Sequence, residues 1–187
     1  MKKLMIVLAA VALAGVTQAA DFDWKTYSGQ YVYQAGTTTK LGGATAYLFD
    51  QSVVGQAALI EAVLGGTSIS SFTSLASEST SASGTIAGAD FTYSTSAESV
   101  TAYFAIVSGD NVFISSTATA TVPDVGKETF TFKALNTPSK AAAIEFSGAS
   151  SYTGAGWYTK ASAVPEPTSG LLMLVGLGAL ALRRRKA

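Results

Sequence analysis

The side chains able to do chemistry are few, and their types narrow that chemistry at once. Histidine and cysteine are both absent from the 187 residues. That removes the usual general base, the commonest transition-metal ligand and every Ser-His or Cys-His nucleophilic pair. Serine is abundant, but there is no Gly-x-Ser-x-Gly elbow, and between the two ends no Lys has a Ser three residues before it. What remains is carboxylate. Asp21 stands beside Asp23, and Asp110 follows Gly109. Two carboxylates flanking a bond could hydrolyse it, but nothing in the pattern makes any two of these face each other, and they read as solvated strand-end and turn residues. Asp21, Asp23, Asp50 and Asp110 could offer oxygens to calcium, yet no loop has ligands at EF-hand spacing. No catalytic residue, metal ligand or cofactor is therefore assigned, and the chain reads as non-enzymatic.

Two patterns could bind without catalysing. Thr117, Thr119 and Thr121 alternate as a row on one face of a strand, and Trp24, Trp157 and the tyrosines could stack on sugar rings. Ordinary sheet packing accounts for both as well, since Thr and aromatic residues favour strands. Charge excludes a further class. Lys2, Lys3, Arg183, Arg184, Arg185 and Lys186 are half of the twelve basic residues, and the stretch from Asp21 to Val164 has six Lys, no Arg and eleven acids, a net charge of −5. Such a body cannot lay a basic surface along phosphates, so nucleic acid is not a partner. Without cysteine, the fold must stand on core burial and strand ladders alone.

The two ends carry the most specific information. Lys2 and Lys3, an apolar run from Leu4 to Val16 and small residues at Ala19 and Ala20 have the order of a secretory signal peptide. Residues 1–20 are predicted to be removed after Ala19 or Ala20, by way of the general secretory machinery. At the other end Val164-Pro165-Glu166-Pro167 precedes an apolar stretch from Gly170 to Leu182, and then Arg183, Arg184, Arg185 and Lys186. The prolines keep the preceding segment extended, which a processing enzyme can grip. A helix over about 168–182 would be a marginal span, because thirteen apolar residues rise only about 20 Å against a hydrocarbon core of about 30 Å. The basic cluster stops transfer and keeps the tail end cytoplasmic.

Residues 164–187, with this tetrapeptide, short helix and basic tail (183–186) in order, resemble the PEP-CTERM sorting signal of Gram-negative bacteria. The resemblance implies recognition at Val164, Pro165, Glu166 and Pro167 by an exosortase, a membrane processing enzyme. It implies an inner-membrane intermediate, then passage to the cell surface or extracellular matrix, typically where exopolysaccharide is made. It implies nothing about the cargo between the signals, for which a structural or interaction role is expected, with binding of exopolysaccharide as the alternative.

That cargo, residues 21–163, is predicted to be one mainly β domain: a small antiparallel sandwich or open sheet with one covering helix. Phe91 to Tyr93, Tyr103 to Val107, Val112 to Ile114, Thr129 to Phe132, Ala142 to Phe146 and Trp157 to Lys160 are rich in aromatic and β-branched residues. Ser108-Gly109-Asp110-Asn111 reads as the turn of a hairpin spanning about Val100 to Val122, and Asp124 to Gly126 as another reversal. Val53, Val54, Ala57, Ala58, Ile60 and Leu64 have helical spacing, predicting a helix over Gln51 to Leu64, capped by Asp50 or Ser52 and ended by Gly65-Gly66. The Ser-rich run from Thr67 to Gly84 reads as a loop or a second short helix near Ser70 to Ala76. The middle also resembles uncharacterised PEP-CTERM proteins that share an Ala46-to-Phe49 strand, the Phe104-to-Ile114 hairpin and a Gly156-Trp157-Tyr158 ending.

Overall fold

The structure, a computed structural model, describes residues 17–88 and 90–162 together with Met173. The predicted leader as far as Val16, the tetrapeptide, the 168–182 helix apart from Met173, and the basic cluster lie outside the described residues. Among the described residues no helix is long and apolar enough to cross a membrane.

In chain order the strands are β1 (Gln18–Thr26), β2 (Thr45–Asp50), β3 (Ala76–Ser79), β4 (Phe91–Thr95), β5 (Ser99–Ser108), β6 (Asn111–Ile114), β7 (Ala118–Thr121), β8 (Lys127–Phe132), β9 (Ala143–Phe146) and β10 (Gly156–Lys160). The one α-helix among the described residues, α1 (Gln56–Leu64), lies between β2 and β3. Three strands make a small sheet in the order β4-β1-β8, with β4 antiparallel and β8 parallel to β1. The other seven make a large sheet in the order β3-β2-β5-β6-β10-β9, with β7 paired to the first half of β5. Most of its ladders are antiparallel, but β9 runs parallel to β10.

The reason for this layering is legible in β5. Val100, Ala102, Phe104 and Ile106 point to one face and Tyr103 and Ala105 to the other, and all six are buried. A strand apolar on both faces must be covered on both. The small sheet covers the first face with Phe22, Trp24, Phe130 and Phe132. Phe104 sits in that seam, 6.0 Å from Trp24, 5.5 Å from Phe132 and 5.6 Å from Phe113 between ring centroids. Helix α1 covers the second face with Leu59 and Ile60, over Phe49, Tyr103, Ile114 and Tyr158. Of the antiparallel sandwich or open sheet expected, two sheets with one covering helix are found, the helix lying on the outer face of the larger sheet, but the parallel pairs β1–β8 and β9–β10 make both sheets mixed instead of antiparallel.

Several local expectations hold for stated reasons. The β5–β6 hairpin turns on Gly109 and Asp110, with Gly109 at φ +57° as a two-residue turn with glycine first requires. Gly65 and Gly66 end α1, Gly66 at φ +102°. The helix starts later than its spacing suggests, at Gln56 after Gly55, with no side-chain cap. The Asp50 carboxylate is engaged elsewhere: its Oδ1 accepts from the Ser52 N–H at 2.8 Å and hydroxyl at 2.7 Å. Gln56 anchors the helix instead, donating from its buried amide to the Ser115 carbonyl at 3.1 Å. In the Ser-rich run the second helix shrinks to a 3-10 turn at Ile69–Ser71, and Ala76–Ser79 pairs as edge strand β3.

Under α1, burial holds phenols protonated. It pushes Tyr103 far above the ordinary tyrosine range and Tyr152 up to about 12, the Tyr158 phenol adding a smaller push on Tyr152. The unfolded chain ionises these groups near pH 10 while the folded one does not, so this stability is complete below about pH 10 and drains away above it. Unfolding midpoints measured from pH 9 to 12 are expected to fall, and Tyr152→Phe to flatten the fall. An unchanged profile in that variant would show that another group controls it. In the seam, Phe104→Ala is expected to cost about 3–5 kcal/mol by urea denaturation, whereas Tyr27→Ala, at a side chain 50% exposed, should stay within about 0.5 kcal/mol.

Candidate functional site

The carboxylates are assembled by β1 and its neighbours. Asp21 and Asp23 alternate with buried Ala20, Phe22 and Trp24, and so face outward from the small sheet. Thr92 of β4 donates its hydroxyl to Asp21 Oδ1 at 2.7 Å. From β8, the Lys127 ammonium donates to Asp90 Oδ1 at 2.7 Å and lies 3.7 Å from Asp23 Oδ2. The hydrogen bond to Asp90 is the main reason the Lys127 pKa is raised. These carboxylates therefore already hold a cation of the chain's own. Among the described residues no group of three or more acidic side chains is placed to hold a metal ion. Asp90 and Lys127 escaped the sequence reading because one stands just before β4 and the other begins β8, 37 residues apart, and no local spacing announces them.

The other two aspartates line separate hollows. Asp110, in the β5–β6 turn, joins Asn111, Thr159, Lys160 and Leu64 around a cleft of about 440 Å³. Asp50 is only 8% exposed and accepts a third hydrogen bond, from the Tyr93 hydroxyl to its Oδ2 at 3.0 Å. With Ser52, Tyr93, Thr95, Ser99 and Thr101 it lines a hollow of about 250 Å³. Burial, then the hydrogen bond to Asp50, raises the Tyr93 pKa. From sequence Tyr93 stood only in the Phe91-to-Tyr93 strand and among the tyrosines that could stack on sugar rings.

Both tryptophans lie in the core instead of on a binding surface. Trp24 and Trp157 are fully buried, and the Trp157 indole donates to the Tyr33 carbonyl at 2.8 Å. Thr117, Thr119 and Thr121 are exposed in a row, with the Thr119 and Thr101 hydroxyls 2.9 Å apart across the β7–β5 ladder. The row is one strand wide, and the Thr119 hydroxyl at its centre serves cross-strand bonding.

The processing sites sit at the ends of strands. Ala19 and Ala20 lie within β1, three residues into the fold. The last strand, β10, ends at Lys160, and the Ala161 N–H still bonds the Phe146 carbonyl at 3.3 Å. Val164 follows four residues after Lys160, so the tetrapeptide begins within about 14 Å of the folded edge even fully extended.

The tail is also where comparison with known proteins is informative. The PEP-CTERM protein-sorting motif matches residues 163–186. No curated protein matches the chain. Among solved structures, the shaft pilin SpaA from Lactobacillus rhamnosus GG aligns at 12% identity with a TM-score of 0.25, covering 63% of this chain and 49% of the pilin. A mutant of that pilin aligns with a TM-score of 0.23. The chain thus spans about half of these pilins, and superposition this slight carries no argument. Residues 163–186 are a PEP-CTERM protein-sorting motif at the C-terminus, and they mark an exported protein that passes through the membrane to the cell surface, consistent with an exosortase substrate.

Proposed function

We propose that the chain is a non-catalytic surface or matrix protein of a Gram-negative-type bacterium. It is exported by the general secretory machinery, held at the inner membrane by its C-terminal helix, and released by an exosortase cutting near Val164 to Pro167. The sorted cargo is the β-sandwich, with a structural or interaction role. The observation that carries this reading is placement: the sorting motif begins three residues after the last residue of β10. A folded, cysteine-free body is thereby presented to a membrane enzyme on a short extended leash. The pairing of Lys127 with Asp90 and Asp23 gives these carboxylates the ordinary part of a surface ion-pair cluster.

The test is the intact mass of protein recovered from the native host. Wild-type chain is expected to lack the leader and everything beyond the Pro-Glu-Pro. The double variant Pro165→Ala, Pro167→Ala is expected to keep its tail and stay with the inner membrane. A wild-type mass that still includes Arg183 to Lys186 would make the tail a plain anchor.

A second reading, binding of exopolysaccharide, is favoured by the hollow at Asp50. It combines a buried carboxylate, a tyrosine ring and several hydroxyls in a volume of about 250 Å³, which suits a sugar ring better than an apolar ligand. Co-sedimentation with the host's own polysaccharide is the check. On this reading Tyr93→Ala should lower binding at least tenfold, while equal binding by the variant would remove the hollow from consideration.

A further inference from the structure

Strand β1 begins before the position where the leader is expected to be cut. Gln18, Ala19 and Ala20 pair with Thr95, Ser94 and Tyr93 of β4. The Gln18 side chain donates to the Pro123 carbonyl at 3.0 Å, and Ala20 is 4% exposed, in the same core as Phe22 and Trp24. The scissile bond of the precursor is therefore inside a hydrogen-bonded ladder of the folded domain.

A peptidase that cuts a leader takes the small residues before the bond as an exposed extended segment. On the β4 side this backbone is already paired, and Ala20 is buried, so in the folded domain the segment is not a free extended chain that an enzyme could take up. The constraint also works in reverse. The apolar run ends at Val16, so while it remains in the membrane Ala20 lies within about 14 Å of the bilayer. On so short a tether the segment that the peptidase must take up and the segment that pairs with β4 are the same residues, so the cut has to come before they pair.

We propose that leader removal after Ala19 is the step that lets the small sheet close. This rests on the reading of residues 1–20 as an export signal. The choice of Ala19 over Ala20 follows from the strand's alternation. Thr17 and Ala19 are exposed and Gln18 and Ala20 face inward, so a cut after Ala19 puts two small side chains on one face, at the first and third positions before the bond. A cut after Ala20 would place the long Gln18 at that third position, and it would discard a core methyl and the rung to Tyr93. With the cut after Ala19, Ala20 stays as the first core residue of the mature protein. Gln18 is one wall of a hollow that Glu98 and Asp124 also line, and its loss with the leader would widen that hollow.

Two measurements test this. The first is N-terminal sequencing of the exported wild-type protein, expected to begin at Ala20. A start at Asp21 or later would overturn the assigned bond while leaving the export reading intact. A start at Met1 would overturn the export reading itself. The second is limited proteolysis, from the periplasmic side, of wild-type precursor in cells depleted of leader peptidase. With the small sheet open, β4 and the segment before it, residues 85–97, should be cut about tenfold or more faster than in mature protein, as expected when an element is held out of its packed state. Equal resistance of precursor and mature protein in that segment would overturn the proposal.

Discussion

The structure depends on the burial of β5 on both of its faces. A ten-residue strand whose inner side chains alternate between two cores can be stable only if something apolar covers each side, and the chain has no cysteine to compensate for a missing layer. Phe104 shows how tightly the layers are tied: its ring meets Trp24 and Phe132 of the small sheet and Phe113 of its own. Each such aromatic contributes roughly 1.5–3 kcal/mol by burial, so a few of them together match the margin of about 5–15 kcal/mol by which a domain is stable. The backbone of the same residue is held by Ser115, whose buried hydroxyl accepts from the Phe104 N–H at 2.9 Å and donates to the Ser116 carbonyl at 2.8 Å. The polar groups capable of chemistry are consequently displaced to outward faces and strand ends.

This constraint explains what could be read from the sequence. Runs with strong β-branched and aromatic content, such as Tyr103 to Val107 and Val112 to Ile114, became strands because burial and propensity agreed there. The glycines of the hairpin turn and of the helix end were legible because positive φ leaves few other choices. Strand β1 was obscured for a different reason: its alternation of Ala20, Phe22 and Trp24 with Asp21 and Asp23 begins inside the small-residue signature of the leader, and one stretch carries two messages. The helix start was misplaced because Asp50, a good cap by type, spends its oxygens on Ser52 and on Tyr93, forty-three residues away. The Lys127 cluster and the Asp50 hollow have the same origin. They are built by strand neighbours distant in sequence, and only the sheet order reveals them.

Sorting and cargo follow different physical rules, which is why one was readable and the other was not. An enzyme that grips an extended segment reads it locally, so the sorting information lies in 24 consecutive residues. A binding surface on a sandwich is written across strands. The Asp50 hollow needs β2, β4 and β5 in register, and the Lys127 cluster needs β1 beside β8. No window of sequence contains either.

The two ends of the cargo also differ in what their removal does to the fold. At the C-terminal end, the β10 ladder to β6 closes at Thr159 and its ladder to β9 at Lys160, before the sorting motif begins. Among the described residues every rung of β10 and every core side chain therefore lies before the motif, as release of a folded cargo would require. At the N-terminal end the ladder of β1 to β4 starts at Gln18, and its ladder to β8 only at Asp21. Removal of a leader ending at Ala19 or Ala20 would trim the first ladder but spare the second, leaving β1 fixed by β8 and by the burial of Phe22 and Trp24. The parallel pairing with β8 is thus what makes the small sheet tolerant of a cut within its central strand. A β1 held by β4 alone would lose rungs from its only ladder.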